Sequence, residues 1–118
     1  MKNNIVKTKS RLFAIRIYKL YQYLCNERKE FILSKQILRS GTSIGANIAE
    51  AESSISRKEF VSKLHIALKE ASETQYWLEF LCDVQLISKK QFADIFSDCK
   101  ELLKLLTATI KTLKETDN

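Results

Sequence analysis

The chain contains no proline and only two glycines, Gly41 and Gly45, in 118 residues. Tight turns and strand hairpins draw heavily on both residue types, so turn chemistry is scarce here. Long helices joined by a few short connections are the architecture that remains, and an all-α protein is the expected class. The three cysteines, Cys25, Cys82 and Cys99, are odd in number and widely spaced, with no C-x-x-C. That argues against structural disulfides and a thiolate metal site, and predicts reduced thiols in a cytoplasmic protein. His65 is the single histidine. Any Ser–His or Cys–His pair would have to use it, and nothing nearby supplies an orienting group at a recognisable spacing. No C/H spacing fits zinc, and the Glu-x-x-His motifs of di-iron bundles are missing. No enzyme activity, metal or cofactor is therefore expected. No apolar run approaches the roughly 20 residues that span a bilayer, and the basic N-terminal stretch lacks the apolar core of a signal peptide. No membrane partner is expected.

What is present is apolar content and unevenly distributed charge. At 45% hydrophobic and 29% charged residues the composition is that of a globular chain, and the length fits one domain, residues 1–118. Residues 1–29 hold Lys2, Lys7, Lys9, Arg11, Arg16, Lys19, Arg28 and Lys29 against Glu27 alone, a net of +7, while the rest of the chain holds twelve basic and thirteen acidic residues. A basic patch of this density predicts contact with nucleic acid or another polyanion, with Lys7, Lys9, Arg11, Arg16 and Lys19 as the phosphate contacts. The competing reading is a solvated helix face. Tyr18, Tyr21 and Tyr23 interleave with these cations, suited to stacking on bases or to packing at a subunit interface.

Helical periodicity recurs in four stretches. The first runs from about 5 to 28, with Phe13, Ile17, Leu20 and Leu24 as its apolar stripe. The second, about 34 to 53, has Ser34 as its expected N-cap and Ile37, Gly41, Ile44, Ile48 and Ala51 on one face. Each glycine inside a helix costs roughly 1 kcal/mol against alanine. Two of them one turn apart predict a groove that admits a neighbouring helix, or backbone left open for a phosphate. Along another face of this helix lie Arg39, Ser43, Asn47 and Glu50. This polar strip reads as a network between helices or subunits, as plain surface, or as a ligand contact.

Ser56 and Glu59 form an S-x-x-E capping box that opens a third helix, about 57 to 84. Phe60, Leu64, Ala67, Ala71, Leu78 and Leu81 are its core stripe. Ile66, Trp77, Phe80 and Val84 lie off that stripe and predict a second packing partner, best supplied by another copy of the chain. Trp77 is then an interface anchor or a residue closing the bundle's end. Ser88 and Gln91 repeat the capping signal before a fourth helix, about 89 to 115, whose stripe is Phe92, Ile95, Phe96, Cys99, Leu102, Leu103, Leu106, Ile110 and Leu113. Four helices with short connections predict an antiparallel up-down-up-down four-helix bundle.

One long ordered set of residues resembles a known family. Arg39-Ser40, Ser43-Ile44 and Asn47 to Ala51, then Ser56 to Phe60, then Leu64 to Ala71, Glu73-Thr74 and Trp77-Leu78 are similar to the bacterial 23S rRNA intervening-sequence proteins. Ala51 stands where many members carry glycine. The resemblance covers nearly the whole chain and implies a four-helix bundle that assembles into a homopentameric ring. Many members are encoded within insertions in 23S rRNA genes. The family also resembles the accessory variability determinant of diversity-generating retroelements, a basic pentameric barrel that binds nucleic acid and a reverse transcriptase. The partners to expect are the chain itself, RNA or DNA, or a protein.

Overall fold

A computed structural model of the chain describes residues 4–116. Four helices, α1 (Asn4–Asn26), α2 (Leu33–Glu52), α3 (Arg57–Asp83) and α4 (Lys89–Thr116), make up the described residues, without strands. Each packs against its neighbour in sequence and α4 returns to α1, closing a four-sided bundle without diagonal contacts. The α2–α3 side is the most extensive and the α1–α4 side the least.

Every side runs antiparallel. On α1 and α2, Ser10 meets Gly45 while Ile17 meets Gly41. On α2 and α3, Arg39 reaches Glu70 whereas Glu50 reaches Lys63. The Cys99 thiol approaches the Ala71 carbonyl at 3.4 Å, and Arg57 donates to the Leu113 carbonyl at 3.2 Å. Lys9 pairs with Glu101 and Arg16 with Asp98. The result is a rod of 49 × 22 × 19 Å.

The core follows the helical period. Val6, Ser10, Phe13, Ile17 and Leu24 are buried on α1, with Leu20 half-buried among them. Ile37, Gly41, Ile44, Ile48 and Ala51 are all buried on α2. Thr74 fills the gap in the α3 stripe between Ala71 and Leu78. Ile95, Cys99, Leu102, Leu106 and Ile110 are buried on α4, while Phe92 and Phe96 lie half-buried beside them.

The connections manage without glycine. Lys29 and Gln85 take left-handed backbone angles, φ 53° and φ 63°, where α1 and α3 end. At the first, the Arg28 and Glu30 amides return to the Tyr23 and Leu24 carbonyls, so α1 closes at Asn26, short of the expected 28. The Arg28 guanidinium also donates to the Gln85 carbonyl at 3.2 Å, which ties the two turns together at one end of the bundle.

Two caps differ from expectation. Ser34 is not the N-cap of α2: it is buried in the first turn, and the Glu30 carboxylate accepts from the amides of Ile32, Leu33 and Ser34 at 3.2, 3.1 and 2.8 Å. A carboxylate at a helix start also suits the helix dipole. Ser56 does accept from the Glu59 amide at 3.0 Å, but the Glu59 carboxylate returns to Ile55 at 3.4 Å rather than to Ser56. The Ser88–Gln91 box is reciprocal, at 3.1 and 2.8 Å.

Candidate nucleic-acid interface

The five α1 cations do not share one face. Val6, Ser10, Phe13 and Ile17 direct the core side of α1, so Lys9 and Arg16 flank it toward α4 and Lys7 flanks it toward α2. Each finds an acid across the groove: Lys7 with Glu52 at 3.0 Å, Lys9 with Glu101 at 3.1 Å, and Arg16 with Asp98. Arg11 and Lys19 are exposed and enter no ion pair among the described residues. Exposed pairs of this kind contribute only about 0–1 kcal/mol each. They hold register across the bundle more than they add stability.

The outward face of α1 is more apolar than its charge suggests. Ile5, Leu12 and Ile15 are 55%, 57% and 46% exposed. With Thr8 and Lys19 they repeat at spacings of three and four, a second stripe on the side of α1 away from the core. Tyr18 stacks on Tyr21 at its edge, ring centroids 6.2 Å apart. The sequence reading overlooked this stripe, although the i, i+7, i+10 spacing of Ile5, Leu12 and Ile15 was visible in it.

The polar strip of α2 divides by chemistry. Ser43 and Asn47 donate to backbone carbonyls one turn back, Arg39 at 2.6 Å and Ser43 at 2.8 Å, and so stay within their own helix. Arg39 and Glu50 cross to α3. The Arg39 guanidinium spans Glu70, at 3.1 Å, and Glu73. Glu73 in turn accepts the Trp77 indole N–H at 3.1 Å. Glu50 bonds Lys63 at 2.9 Å, and this hydrogen bond, helped by the Glu50 charge, raises the ammonium pKa above its ordinary 10.5. Trp77 is half-buried against the core and meets Tyr76 and Phe80 in an aromatic cluster, while Ile66 on α3 and Val84 just past its end are exposed.

Two buried hydroxyls form a link that periodicity does not signal. Thr74 donates to the Glu70 carbonyl at 2.7 Å, which leaves its oxygen to accept from Ser40, 3.0 Å away on α2. No buried side-chain nitrogen or oxygen among the described residues lacks a partner. The glycine groove is filled by α1. A Cβ on Gly41 would lie 2.7 Å from Ile17 Cγ1, and one on Gly45 would lie 3.3 Å from Ser10 Oγ. These glycines are occupied by helix packing, with no backbone left open for a phosphate.

No three His, Cys, Asp or Glu side chains gather as a metal-binding group among the described residues, and His65 stands exposed there without a hydrogen-bond partner. A cleft of about 510 Å³ at the Lys29–Gln85 end is lined by Tyr23, Arg28, Cys82, Asp83 and Gln91 among others. Among the described residues no helix is long and apolar enough to cross a membrane.

These features define a small, basic, antiparallel four-helix bundle whose cations bridge helices and whose outer faces carry apolar stripes. The chain belongs to the 23S rRNA-intervening sequence protein family, whose sequence model matches residues 2–108. Among solved structures it is similar to a protein of unknown function from the S23 ribosomal protein family of Bacteroides thetaiotaomicron. The two share 58% identity and superpose with a TM-score of 0.92 over 94% of this chain and 99% of the other. No functionally curated protein matches the chain.

Proposed function

We propose that the protein is a non-enzymatic bundle that assembles into a homo-oligomeric ring, five subunits as the resemblance implies, and binds RNA or another nucleic acid through backbone phosphates. The observation that carries the reading is the +7 on residues 1–29, with Arg11 and Lys19 exposed and unpaired among the described residues. Lys7, Lys9 and Arg16 add to them, because exchanging an exposed carboxylate for a phosphate forfeits no more than about 1 kcal/mol. A ring multiplies this charge by its subunit number. Such contacts hold and orient a nucleic acid without reading base sequence.

Assembly is supported by two separate apolar faces, Ile5–Leu12–Ile15 on α1, a stripe ending one turn short of Lys19, and Ile66–Val84 beside the aromatic cluster of α3. Two different patches pair head to tail, and head-to-tail contacts that close generate rings. Native mass spectrometry at low salt tests both parts: five subunits plus a nuclease-sensitive excess is the expected mass. In a binding titration each phosphate neutralised should steepen the salt dependence by about 0.7 for single strands and about 0.9 for duplex. Binding that ignores salt would sink the nucleic-acid reading, and binding that survives glutamine at all five α1 positions would sink its assignment to α1. A protein partner is the second reading, favoured by the half-exposed Tyr76–Trp77–Phe80 cluster beside Arg39. Recovery of one stoichiometric protein after nuclease treatment would select it.

A further inference from the structure

Helices α3 and α4, whose charges nearly cancel when summed along the sequence, hold the larger unpaired basic surface. On α3, Lys58, Ser62, His65, Lys69 and Ser72 repeat at four, three, four and three residues, and all five are exposed. On α4, Lys100, Lys104, Thr107, Lys111 and Lys114 repeat the same spacing, and all five are exposed. Each set is therefore one stripe along its helix. None of these six lysines enters an ion pair among the described residues.

The antiparallel register brings the stripes side by side. The Ala71–Cys99 and Arg57–Leu113 contacts set Lys69 level with Lys100 and Lys104, and Lys58 level with Lys111 and Lys114. Helix rise makes the band about 20 Å long, and neighbouring axes lie roughly 8–10 Å apart. Most acids of the two helices are engaged or placed elsewhere: Glu59, beside Lys58, turns back to the Ile55 amide at 3.4 Å, and Asp94 precedes the band on α4. Glu70 and Glu73 hold Arg39, Asp98 holds Arg16 and Glu101 holds Lys9. Glu79 and Asp83 lie at the other end of α3, and Glu115 borders the band at its far edge. Interhelix pairing has thus sorted charge that nearly cancels in sequence into a one-signed face.

We infer that the α3–α4 face is a second nucleic-acid surface, separate from the α1 cations, that binds the phosphodiester backbone without base specificity. Hydroxyls of Ser62, Ser72 and Thr107 stand among the lysines as phosphate donors, and the arginine at the band's end, Arg57, is engaged with the Leu113 carbonyl and the Thr116 hydroxyl rather than held out for base edges. An anionic membrane surface fits it less well. Interfacial helices pair their cations with apolar residues that enter the bilayer, and the exposed isoleucines and leucine of this protein lie on α1, α3's other flank and the connections.

The experiment compares two charge-matched variants of the full chain. One carries Lys69→Gln, Lys100→Gln, Lys104→Gln and Lys111→Gln; the other carries Lys7→Gln, Lys9→Gln, Arg11→Gln and Lys19→Gln. Both lose four charges, and circular dichroism checks that both fold. Affinity for a fluorescent RNA single strand and a DNA duplex is measured across a salt series. The inference expects the first variant to bind at least tenfold more weakly, with a salt slope shallower by about 3, whatever the second does. Loss confined to the second variant overturns it and leaves the α1 reading standing. Equal, modest losses in both overturn it by reducing the effect to net charge. Absence of nucleic-acid binding by the unaltered chain overturns both readings. Phosphatidylserine vesicles form a last arm: binding to them that nucleic acid does not compete, lost only in the first variant, overturns the inference in favour of a membrane.

Discussion

Gly41→Ala tests the packing of α1 into α2. The added Cβ would sit 2.7, 2.8 and 3.1 Å from Ile17 Cγ1, Cγ2 and Cδ1. Ile17 is fully buried, and a β-branched side chain in a helix has essentially one rotamer, so it cannot swing aside. Overpacking of this kind costs about 1–3 kcal/mol, against a gain of about 1 kcal/mol from replacing a mid-helix glycine. A net loss of about 1 kcal/mol follows. In an Ile17→Ala background all three offending atoms are gone. The same substitution then recovers the helix gain and refills part of the cavity, so its sign reverses. The coupling between the two sites should be about 2 kcal/mol, inside the range seen for residues in contact. Ile17→Ala alone costs about 2–5 kcal/mol, which a domain of ordinary stability survives. Gly45→Ala is the contrast: its Cβ meets Ser10 Oγ at 3.3 Å, and clash and helix gain nearly cancel. Urea midpoints at one fixed protein concentration, with unchanged m-values, give all the terms. If Gly41→Ala stabilised the unaltered chain, or cost the same with and without Ile17, the close-packing argument would be wrong.

Three further outcomes follow from buried or strained groups. Thr74→Val should cost about 1–3 kcal/mol by stranding the Ser40 hydroxyl, whereas Ser40→Ala with Thr74→Val should fall well below the sum of the single losses, as chemical denaturation would report. Lys29→Gly and Gln85→Gly should each raise stability by about 0.5–1 kcal/mol, a few degrees in thermal melts, because a side chain at positive φ costs about 1–2 kcal/mol and the glycine's extra unfolded-state freedom offsets only part of that. Burial, with the Asp98 charge second, pushes the Cys99 thiol up to about 12 from an ordinary 9.0. A thiol reagent at pH 8 should therefore reach Cys25 and Cys82 in the native state and Cys99 only on unfolding. Above pH 9 the unfolded thiol ionises while the native one does not, so stability should fall by up to about 1.4 kcal/mol per pH unit, a slope that Cys99→Ala would flatten.

The core was legible in the sequence because a 3.6-residue period needs no partner to be seen. Ile37, Gly41, Ile44, Ile48 and Ala51 announce one face of α2 whatever packs against it, and the caps at Ser56 and Ser88 are local. The electrostatics were not legible in that way. Arg16 and Asp98 are 82 positions apart and Lys9 and Glu101 are 92, so a regional count of +7 could not reveal which cations already have an acid. The α3–α4 band was hidden for the converse reason, since segregation around a helix disappears when charges are summed along it. Ser34 was misread because a serine at a helix start has the right chemistry for a cap, whereas the carboxylate that does the capping sits four residues earlier in the turn.

The four sides of the bundle differ in kind. Three are sewn by core side chains, a glycine groove and buried hydroxyls; the α1–α4 side has the least packing and is bridged by Lys9–Glu101 and Arg16–Asp98, both open to water. Salt screens such pairs, and on the α2–α3 side, which has ion pairs of its own, the far more extensive packing remains when they weaken. Opening motions should therefore begin along that one seam, with amide exchange fastest beside it and slowest in α2 and α3. Ionic strength then sets how often the door stands ajar, and a nucleic acid that drew Lys9 and Arg16 toward its own phosphates would loosen the same latch.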